Sequence, residues 1–350
     1  MKVSDILDEF REVLDCIMIK ALHKRVILYG YESYTGRFLK WYAEYYHNIK
    51  IDYLVSTDMS RGRAYDQEIF RPSLLEFGYH DVKEAYVWLA EPMTEETKRL
   101  LENHGYVEDV SYFDFYNAIY GDDVIAEDDG SDIFQKKKVG RRDIQFLEWL
   151  EWKYDCNFVT RIKKEQIAIA GVHNEGYGVT TQKEIFEILT KCHCIPHGDD
   201  AIFDYGCGKG GALVSFLDYG FEKVGGVEYE PHIYDVLLNN MRKLNVDMQN
   251  TELICNDAMQ LDIELDNYNW FYFFLPFDTE IFQKCIHNIC NSYARKKRKI
   301  KIISISPYSH WAIENSSIFR LVMEFTIDMR QRGVHIYETK SFDQYHCSDL

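Results

Sequence analysis

The segment AIFDYGCGKGG (201–211) decides the fold of this chain. An apolar run ends there at a cluster of glycines and is followed by a helical pattern over 210–219. A strand-to-helix junction of this kind needs glycine for the tight turn and for close approach of a ligand to the backbone. The loop is not a phosphate-binding Walker loop, because Lys209 is followed by glycine and not by serine or threonine.

On both sides of this loop the chain alternates between strand and helix patterns. The predicted C-terminal strands are 201–206, 223–229, 251–257, 270–277 and 299–306, followed by a closing strand pair at 318–327 and 334–342. The predicted helices between them are 210–219, 231–244 and 278–295. Regular alternation of this kind is typical of a parallel α/β sheet, so we predict an α/β fold.

Acidic residues lie at or near the ends of three successive strands, and they distinguish a cationic ligand from a dinucleotide. The glycines alone fit both G-x-G-x-x-G, the dinucleotide pattern, and G-x-G-x-G. Asp204 lies two residues before the first glycine, where a carboxylate suits a cationic ligand and repels a pyrophosphate. Glu228 ends the next strand, where it could accept both ribose hydroxyls. Asp257 and Ala258 end the third, where a side chain and a backbone amide could hold an adenine edge.

Taken in order, FDYGCGKG, GGVEYEP and NDA resemble the successive motifs of class I S-adenosylmethionine-dependent methyltransferases. FYFFLPFD resembles the Asn-Pro-Phe form of the fourth strand in many bacterial members, and SISPYSH resembles the end of their fifth strand. Leu275 departs from the pattern, because it stands where those relatives usually have Asn. The resemblance covers roughly residues 200–342 and implies an antiparallel last strand and S-adenosylmethionine as the cofactor. The cofactor-binding residues that we expect are Asp204, Tyr205, Gly206, Gly208, Gly210, Glu228, Tyr229, Asp257, Ala258 and Phe274.

The sequence offers several residues for catalysis. Methyl transfer depends mainly on alignment, and an aromatic face beside the sulfonium adds cation–π stabilisation. Tyr205, Phe274 and Phe277 are candidates for that face. A hydroxyl acceptor would also need a base. His173 and Tyr177, in the segment before the core, and His310, after strand five, are the candidates for that role.

The N-terminal part of the chain also alternates between strands and helices. ILYGYESYTGRFLKWY resembles the strand–glycine–helix opening of Rossmann-like domains in bacterial proteins that modify surface glycans and nucleotide sugars. Its loop is degenerate, because Glu32 replaces the glycine that would let a pyrophosphate approach. Ser56 and Asp58 lie near the end of the second strand, where an acid would bind ribose. We therefore expect a scaffold or acceptor-recognition domain in place of a second cofactor site.

These patterns predict two Rossmann-like domains joined by an acidic stretch, GDDVIAEDDGSD. The predicted order is an N-terminal helix (1–22), a degenerate Rossmann-like domain (23–120), a charged linker (121–140), a helical lead-in and cofactor-covering segment (141–200), and the S-adenosylmethionine-binding domain (201–345).

Composition narrows the class of partner. The net charge of the 350 residues is −17, which argues against a large phosphate-binding surface and makes nucleic acid an unexpected partner. Neither a run of 18 apolar residues nor a secretory signal is present, so we expect a cytoplasmic protein with free thiols. KCHCIPH (191–197) lacks the usual C-x₂-C spacing, and we predict no metal site. ARKKRK (294–299) is interpreted as a solvated helix end.

The sequence thus favours methyl transfer to a small molecule or a glycan precursor. Two alternatives remain open at this point. One is a protein or nucleic-acid methyltransferase, with the basic run and the N-terminal domain docking a macromolecule. The other is a cofactor-binding interaction module without turnover, since a fold alone does not establish an activity. The sequence leaves the oligomeric state undetermined.

Overall fold

The computed structural model describes residues 3–32, 34–57, 62–64, 66–75, 82–115, 146–162, 176–274, 278–305, 310–327 and 332–340. Several residues discussed above lie outside these ranges: Asp58, the linker 121–140, His173, Leu275 and Phe277. No helix in the described ranges is both long and apolar enough to cross a membrane.

The chain divides into two compact units, each of which contains one sheet. The N-terminal unit comprises residues 8–131 and 137–149, and the C-terminal unit comprises residues 1–7, 132–136 and 150–350. The division falls inside two helices, α1 (Val3–Ala21) and α4 (Phe146–Tyr154), and the second of these lies in the segment predicted to lead into the C-terminal domain.

The N-terminal unit contains a six-stranded sheet in the order β3-β4-β2-β1-β5-β6. All neighbouring strands are parallel except the short β3–β4 pair. The strands are β1 (Arg25–Tyr29), β2 (Tyr53–Val55), β3 (Arg63–Ala64), β4 (Gln67–Phe70), β5 (Ala85–Leu89) and β6 (Tyr112–Asp114). The helices are α1 (Val3–Ala21), α2 (Tyr34–His47) and α3 (Glu95–Asn103). Strands β3, β4 and β6 were not predicted, because two to four residues are too few to show an alternating pattern.

The C-terminal unit contains a seven-stranded sheet in the order β12-β13-β11-β10-β7-β8-β9. Strand β13 runs antiparallel to both β11 and β12, which confirms the predicted antiparallel last strand. The strands are β7 (Ala201–Tyr205), β8 (Lys223–Glu228), β9 (Thr251–Cys255), β10 (Trp270–Phe274), β11 (Lys301–Ile305), β12 (Phe319–Ile327) and β13 (Arg332–Thr339). The helices are α5 (Gln182–Lys191), α6 (Gly211–Tyr219), α7 (Pro231–Lys243), α8 (Thr279–Arg295) and α9 (His310–Glu314).

Side-chain oxygens cap three of these helices at the residue before the first turn. Thr181 and Glu184 form a reciprocal capping box at the start of α5. Glu230 accepts from the amide of Ile233 at 2.7 Å, and Asp278 accepts from the amide of Ile281 at 3.1 Å. Helix α6 has no side-chain cap and begins directly after Gly210. Its first turn therefore faces the glycine loop.

Strand β7 lies inside the C-terminal sheet between β10 and β8, and it is buried at every residue. Its Phe203 and Tyr205 rings pack on one face, where the Tyr205 ring stacks on Phe273 with 4.4 Å between centroids. The Tyr268 ring lies against Phe203 with 4.9 Å between centroids. Both of these rings occupy the space in which a side chain at Gly225 would stand.

We expect Gly225→Ala to destabilise the C-terminal unit. An added Cβ would lie 2.8 Å from Phe203 Cδ2 and would overlap the Tyr268 hydroxyl, and both rings are fully buried. Overpacking of this kind costs about 1–3 kcal/mol of unfolding free energy. The urea midpoint measures the effect, with Gly198→Ala as control because nothing lies within 4 Å of its Cβ position. Equal midpoints for both variants would show that this packing is wrong.

Candidate functional site

The glycine loop after β7 forms a sharp turn at the carboxyl end of the central strand. Gly206, Gly208 and Gly210 have φ angles of 82°, 53° and 89°, which favour glycine over residues with a side chain. The amides of Gly206 and Cys207 both donate to the carbonyl of Val227, at 3.0 and 2.9 Å. The turn is therefore fastened to the end of β8, the strand that carries Glu228.

Glu228 joins this loop to the loop that follows β8. Its Oε2 accepts from the amide of Gly208 at 3.0 Å, and its Oε1 accepts from the amide of Glu230 at 2.8 Å. Burial raises the pKa of the carboxyl, while these backbone donors act in the opposite direction. A carboxylate has about four acceptor positions, so the two oxygens retain capacity for hydroxyl groups of a ligand.

Asp204 lies beside Glu228 with only 4% of its surface exposed. Its charge acts on Tyr177, Cys207 and Tyr272, which surround it from three other segments and are themselves neutral or acidic groups. Burial, and secondly the charge of Glu228, raise the pKa of Asp204 to about 8. Among the described residues, neither carboxylate forms an ion pair with a cationic side chain.

Asp257 and Ala258 follow strand β9, as the sequence indicated, with one difference. Asp257 Oδ1 accepts from the amide of Met259 at 2.9 Å and caps a short 3-10 helix that begins at Ala258. One carboxylate oxygen is therefore committed to the backbone. Ala258 is buried, whereas Tyr229, after β8, is 52% exposed.

The structure turns the Tyr205 ring away from the aromatic role expected for it and leaves Phe274 half-buried at the end of its strand. The Tyr205 ring is 1% exposed and packs in the core, because its side chain points to the face of the sheet opposite that of Asp204. Only its backbone lies at the turn. Phe274 ends β10, and the guanidinium of Arg332 lies over its ring at 4.8 Å. Arg332 is in turn ion-paired with Glu184.

Tyr177 is buried beside the glycine loop, and its environment differs from that of a base. Its hydroxyl donates to the carbonyl of Phe158 at 2.5 Å, and burial raises its pKa well above the usual range. The ring occupies the space that a side chain at Gly208 would need. This geometry favours a packing role for Tyr177 in place of the predicted catalytic one.

His310 begins α9, beyond the carboxyl end of β11. Its Nδ1 lies 3.0 Å from the Tyr337 hydroxyl, and its ring contacts that of His335 with 3.5 Å between centroids. These described contacts are to β13 and not to the glycine loop. His335 and Tyr337 were missed because a strand pattern alone does not show which strand it will join.

Lys209 is a further residue whose position the sequence did not reveal. It is 0% exposed, and its Nζ donates to Asn157 Oδ1 at 2.9 Å and to the carbonyl of Thr160 at 2.8 Å. Burial lowers the pKa of this ammonium to about 8. A lysine between two glycines is a weak signal, because an exposed lysine fits a loop equally well.

The described ranges contain no group of three His, Cys, Asp or Glu side chains arranged to hold a metal ion. Cys192 and Cys194, from the KCHCIPH motif, are buried, and burial raises the pKa of each thiol to about 12. They lie in the structure as neutral core thiols.

In the N-terminal unit, two acidic groups lie at the corresponding turn: Glu32 in the loop after β1 and Glu91 in the loop after β5. A side chain at Gly30 would contact Glu91 Cγ at 2.9 Å, so Glu91 fills the space beside that glycine. Glu32 accepts a hydrogen bond from the Ser56 hydroxyl. Burial, and secondly the charge of Glu32, raise the pKa of Glu91. Two acids at this point would repel a pyrophosphate.

No family model and no curated protein matches this sequence. Solved structures with partial similarity include three with coverage near half of this chain. An amino pentose methyltransferase (CalS10) from Micromonospora echinaspora has a TM-score of 0.37 and 9% identity over 47% of this chain and 93% of its own. The PH0226 protein from Pyrococcus horikoshii has a TM-score of 0.36 and 17% identity, covering 45% and 89%. A precorrin-6y C5,15-methyltransferase from Geobacter metallireducens has a TM-score of 0.34 and 13% identity, covering 51% and 95%. Similarity at this level leaves the function of the chain to its own site residues.

Proposed function

We propose that the C-terminal unit binds S-adenosylmethionine and transfers its methyl group to a small molecule or a glycan precursor. The observation that supports this most directly is the buried pair of carboxylates, Asp204 and Glu228, at the glycine turn. Two like charges in a buried site destabilise one another unless a cation joins them. A cationic ligand relieves this repulsion, whereas the pyrophosphate of a dinucleotide would increase it.

Three groups of the cofactor have a chemically matched partner in this arrangement. Asp204 would hold the ammonium, directly or through water, and Glu228 would accept the ribose hydroxyls with the lone pairs that its backbone donors leave unused. Asp257 and the backbone at Ala258 would hold the adenine edge. The left-handed backbone at Gly206, Gly208 and Gly210 forms the sharp turn beside which Asp204 and Glu228 lie.

The bound cofactor supplies a methyl group that is already activated by its sulfonium. The chain's residues then have to align the acceptor for in-line displacement and exclude water. For a hydroxyl acceptor, His310 is the described candidate base, and the Tyr337 hydroxyl at 3.0 Å orients its ring. His173 stays a candidate from the sequence.

The contacts of the two arginines in the basic run at 294–299 favour a small acceptor over a nucleic acid. Arg295 is bound to Asp262 and Asp266, and Arg298 donates to the carbonyls of Tyr268 and Leu265 at 2.6 and 2.8 Å. Both arginines are therefore occupied within the unit. The run also precedes β11, at the edge of the sheet opposite the glycine turn. The acidic residues at that turn would repel a polyanionic acceptor.

We expect S-adenosylmethionine and its demethylated product to bind the whole chain and NAD not to bind. Titration calorimetry with the three ligands measures this, and radiolabelled methyl transfer into fractionated cell extract then identifies the acceptor. Heat from NAD with none from S-adenosylmethionine would refute the proposal. Binding without turnover on any fraction would favour the alternative of a non-catalytic module.

Glu228→Ala is expected to weaken cofactor binding and also to lower the melting temperature. Hydrogen bonds to a charged group contribute about 1.5–3 kcal/mol, which corresponds to roughly 10- to 150-fold in the dissociation constant. Stability falls as well, because the amides of Gly208 and Glu230 lose their acceptor. The exposed Glu222→Ala is the matched control and should change neither quantity. If Glu228→Ala melts earlier but binds as tightly as wild type, the carboxylate only supports the loops.

Cofactor affinity is expected to rise between pH 6 and 7.5. Without ligand, Asp204 is protonated below its pKa of about 8, and the folded state then holds a proton that the unfolded chain has released above its ordinary pKa. The stability of the unliganded unit therefore falls as pH rises through this range. A cationic ligand requires the carboxylate, so binding releases one proton and tightens by up to about tenfold per pH unit.

Calorimetry in buffers of different ionisation enthalpy counts the proton released on binding. Asp204→Asn should remove the release, and any pH dependence left in that variant belongs to the ligand's own amino group. A wild-type affinity that does not change between pH 6 and 7.5 would exclude this role for Asp204.

A further inference from the structure

We propose that Lys209 is a positioning residue: its ammonium fastens the segment 157–162 to the glycine turn, and cofactor affinity depends on this attachment. The measurement of cofactor binding that tests this inference rests on the proposed function. Its structural measurement, protection of the segment's amides from hydrogen exchange, is independent of any ligand.

Lys209 binds the segment with its side chain and supports its anchor with its backbone. Its Nζ donates to Asn157 Oδ1 at 2.9 Å and to the Thr160 carbonyl at 2.8 Å. Its own carbonyl accepts from Asn240 Nδ2 at 3.0 Å. The residue lies between Gly208 and Gly210, so a shift of its side chain changes the turn on both sides.

Asn240, from helix α7, closes this arrangement from a third direction. Its Oδ1 accepts from the Asn157 amide at 2.8 Å, and its Nδ2 donates to the Asn157 carbonyl at 2.9 Å. Both Asn240 and Lys209 are 0% exposed. The turn, the segment and α7 are thus held together by a buried polar network in which each member has a defined partner.

Tyr177 secures the far end of the same segment. Its backbone exchanges two hydrogen bonds with Ile162, at 3.1 and 2.7 Å, and its hydroxyl binds the Phe158 carbonyl. The ring covers Gly208 and lies 4.9 Å from Lys209 Nζ, where it stabilises the ammonium by cation–π attraction. Gly208 is therefore held between Tyr177 on one side and the carboxylate of Glu228 on the other.

Burial of the Lys209 ammonium is unfavourable because the charge loses its hydration, which indicates a positioning role. No carboxylate among the described residues accepts from its Nζ, and Glu151 acts only as a secondary influence that partly offsets the lowered pKa. An apolar side chain of similar length would fill the volume with a smaller desolvation penalty. What the ammonium adds is direction, because its two acceptors determine where the segment meets the turn.

The test uses Lys209→Met in the full chain, which keeps the length of the side chain and removes the donor. If the segment is attached to the glycine turn in only one molecule in ten of this variant, the dissociation constant for S-adenosylmethionine rises about tenfold. Hydrogen exchange should show lost protection at the amides of Asn157, Val159 and Ile162, which all have acceptors in this structure. Asn157→Ala removes the same bond from the opposite side and should give the same two changes.

Lys243→Met is the matched control, because Lys243 also binds this stretch of chain, through Asp155 at 2.8 Å, but at the surface. It should leave affinity and exchange as in wild type. Unchanged affinity in Lys209→Met, or unchanged protection, would overturn the inference, and if that variant does not fold, Asn157→Ala decides in the same way. A wild-type chain that fails to bind S-adenosylmethionine would instead refute the proposed function, while the exchange data would still test the attachment.

Discussion

The hydrogen bonds of the Glu228 carboxylate are the interaction on which the candidate site depends. One oxygen binds the turn after β7 and the other binds the loop after β8, so a single side chain sets the spacing of two strand ends. The bond to Gly208 is possible because the backbone there adopts a left-handed conformation. A ligand that binds Glu228 would therefore contact a group already oriented by the fold, which reduces the entropy lost on binding.

This arrangement has an electrostatic cost that no cationic side chain among the described residues relieves by an ion pair. Asp204 and Glu228 are brought together by the register of β7 and β8, in which Asp204 lies opposite Gly226, two residues before Glu228. Lys209, a buried cation in the same turn, is directed towards Asn157 and Thr160 instead. Burial and mutual repulsion hold a proton on Asp204 near neutral pH. The same two groups that repel one another would favour a cationic ligand.

The two sheets of the chain place different side chains beside a similar glycine turn. Both place a glycine turn after a central parallel strand and acids nearby. In the C-terminal unit the space beside the turn is shaped by Tyr177, Met241 and Leu237, which contact positions where glycine has no side chain. In the N-terminal unit Glu91 fills the space beside Gly30, and Glu32 is bound to Ser56. A similar topology therefore supports different local chemistry.

A resemblance to known sequence motifs implied the antiparallel last strand, and the sequence by itself determined the α/β class, the positions of the C-terminal strands along the chain and the acids at three strand ends. These follow from local patterns: apolar runs of strand length, glycine at turns, and helix caps. Only the tertiary structure decided which side chains face the site. It turned the Tyr205 ring into the core, engaged the Tyr177 hydroxyl with a carbonyl, and buried Lys209 against a segment some fifty residues earlier in the chain. Such contacts depend on strand register and long-range packing, and one residue of register reverses the face of every side chain in a strand.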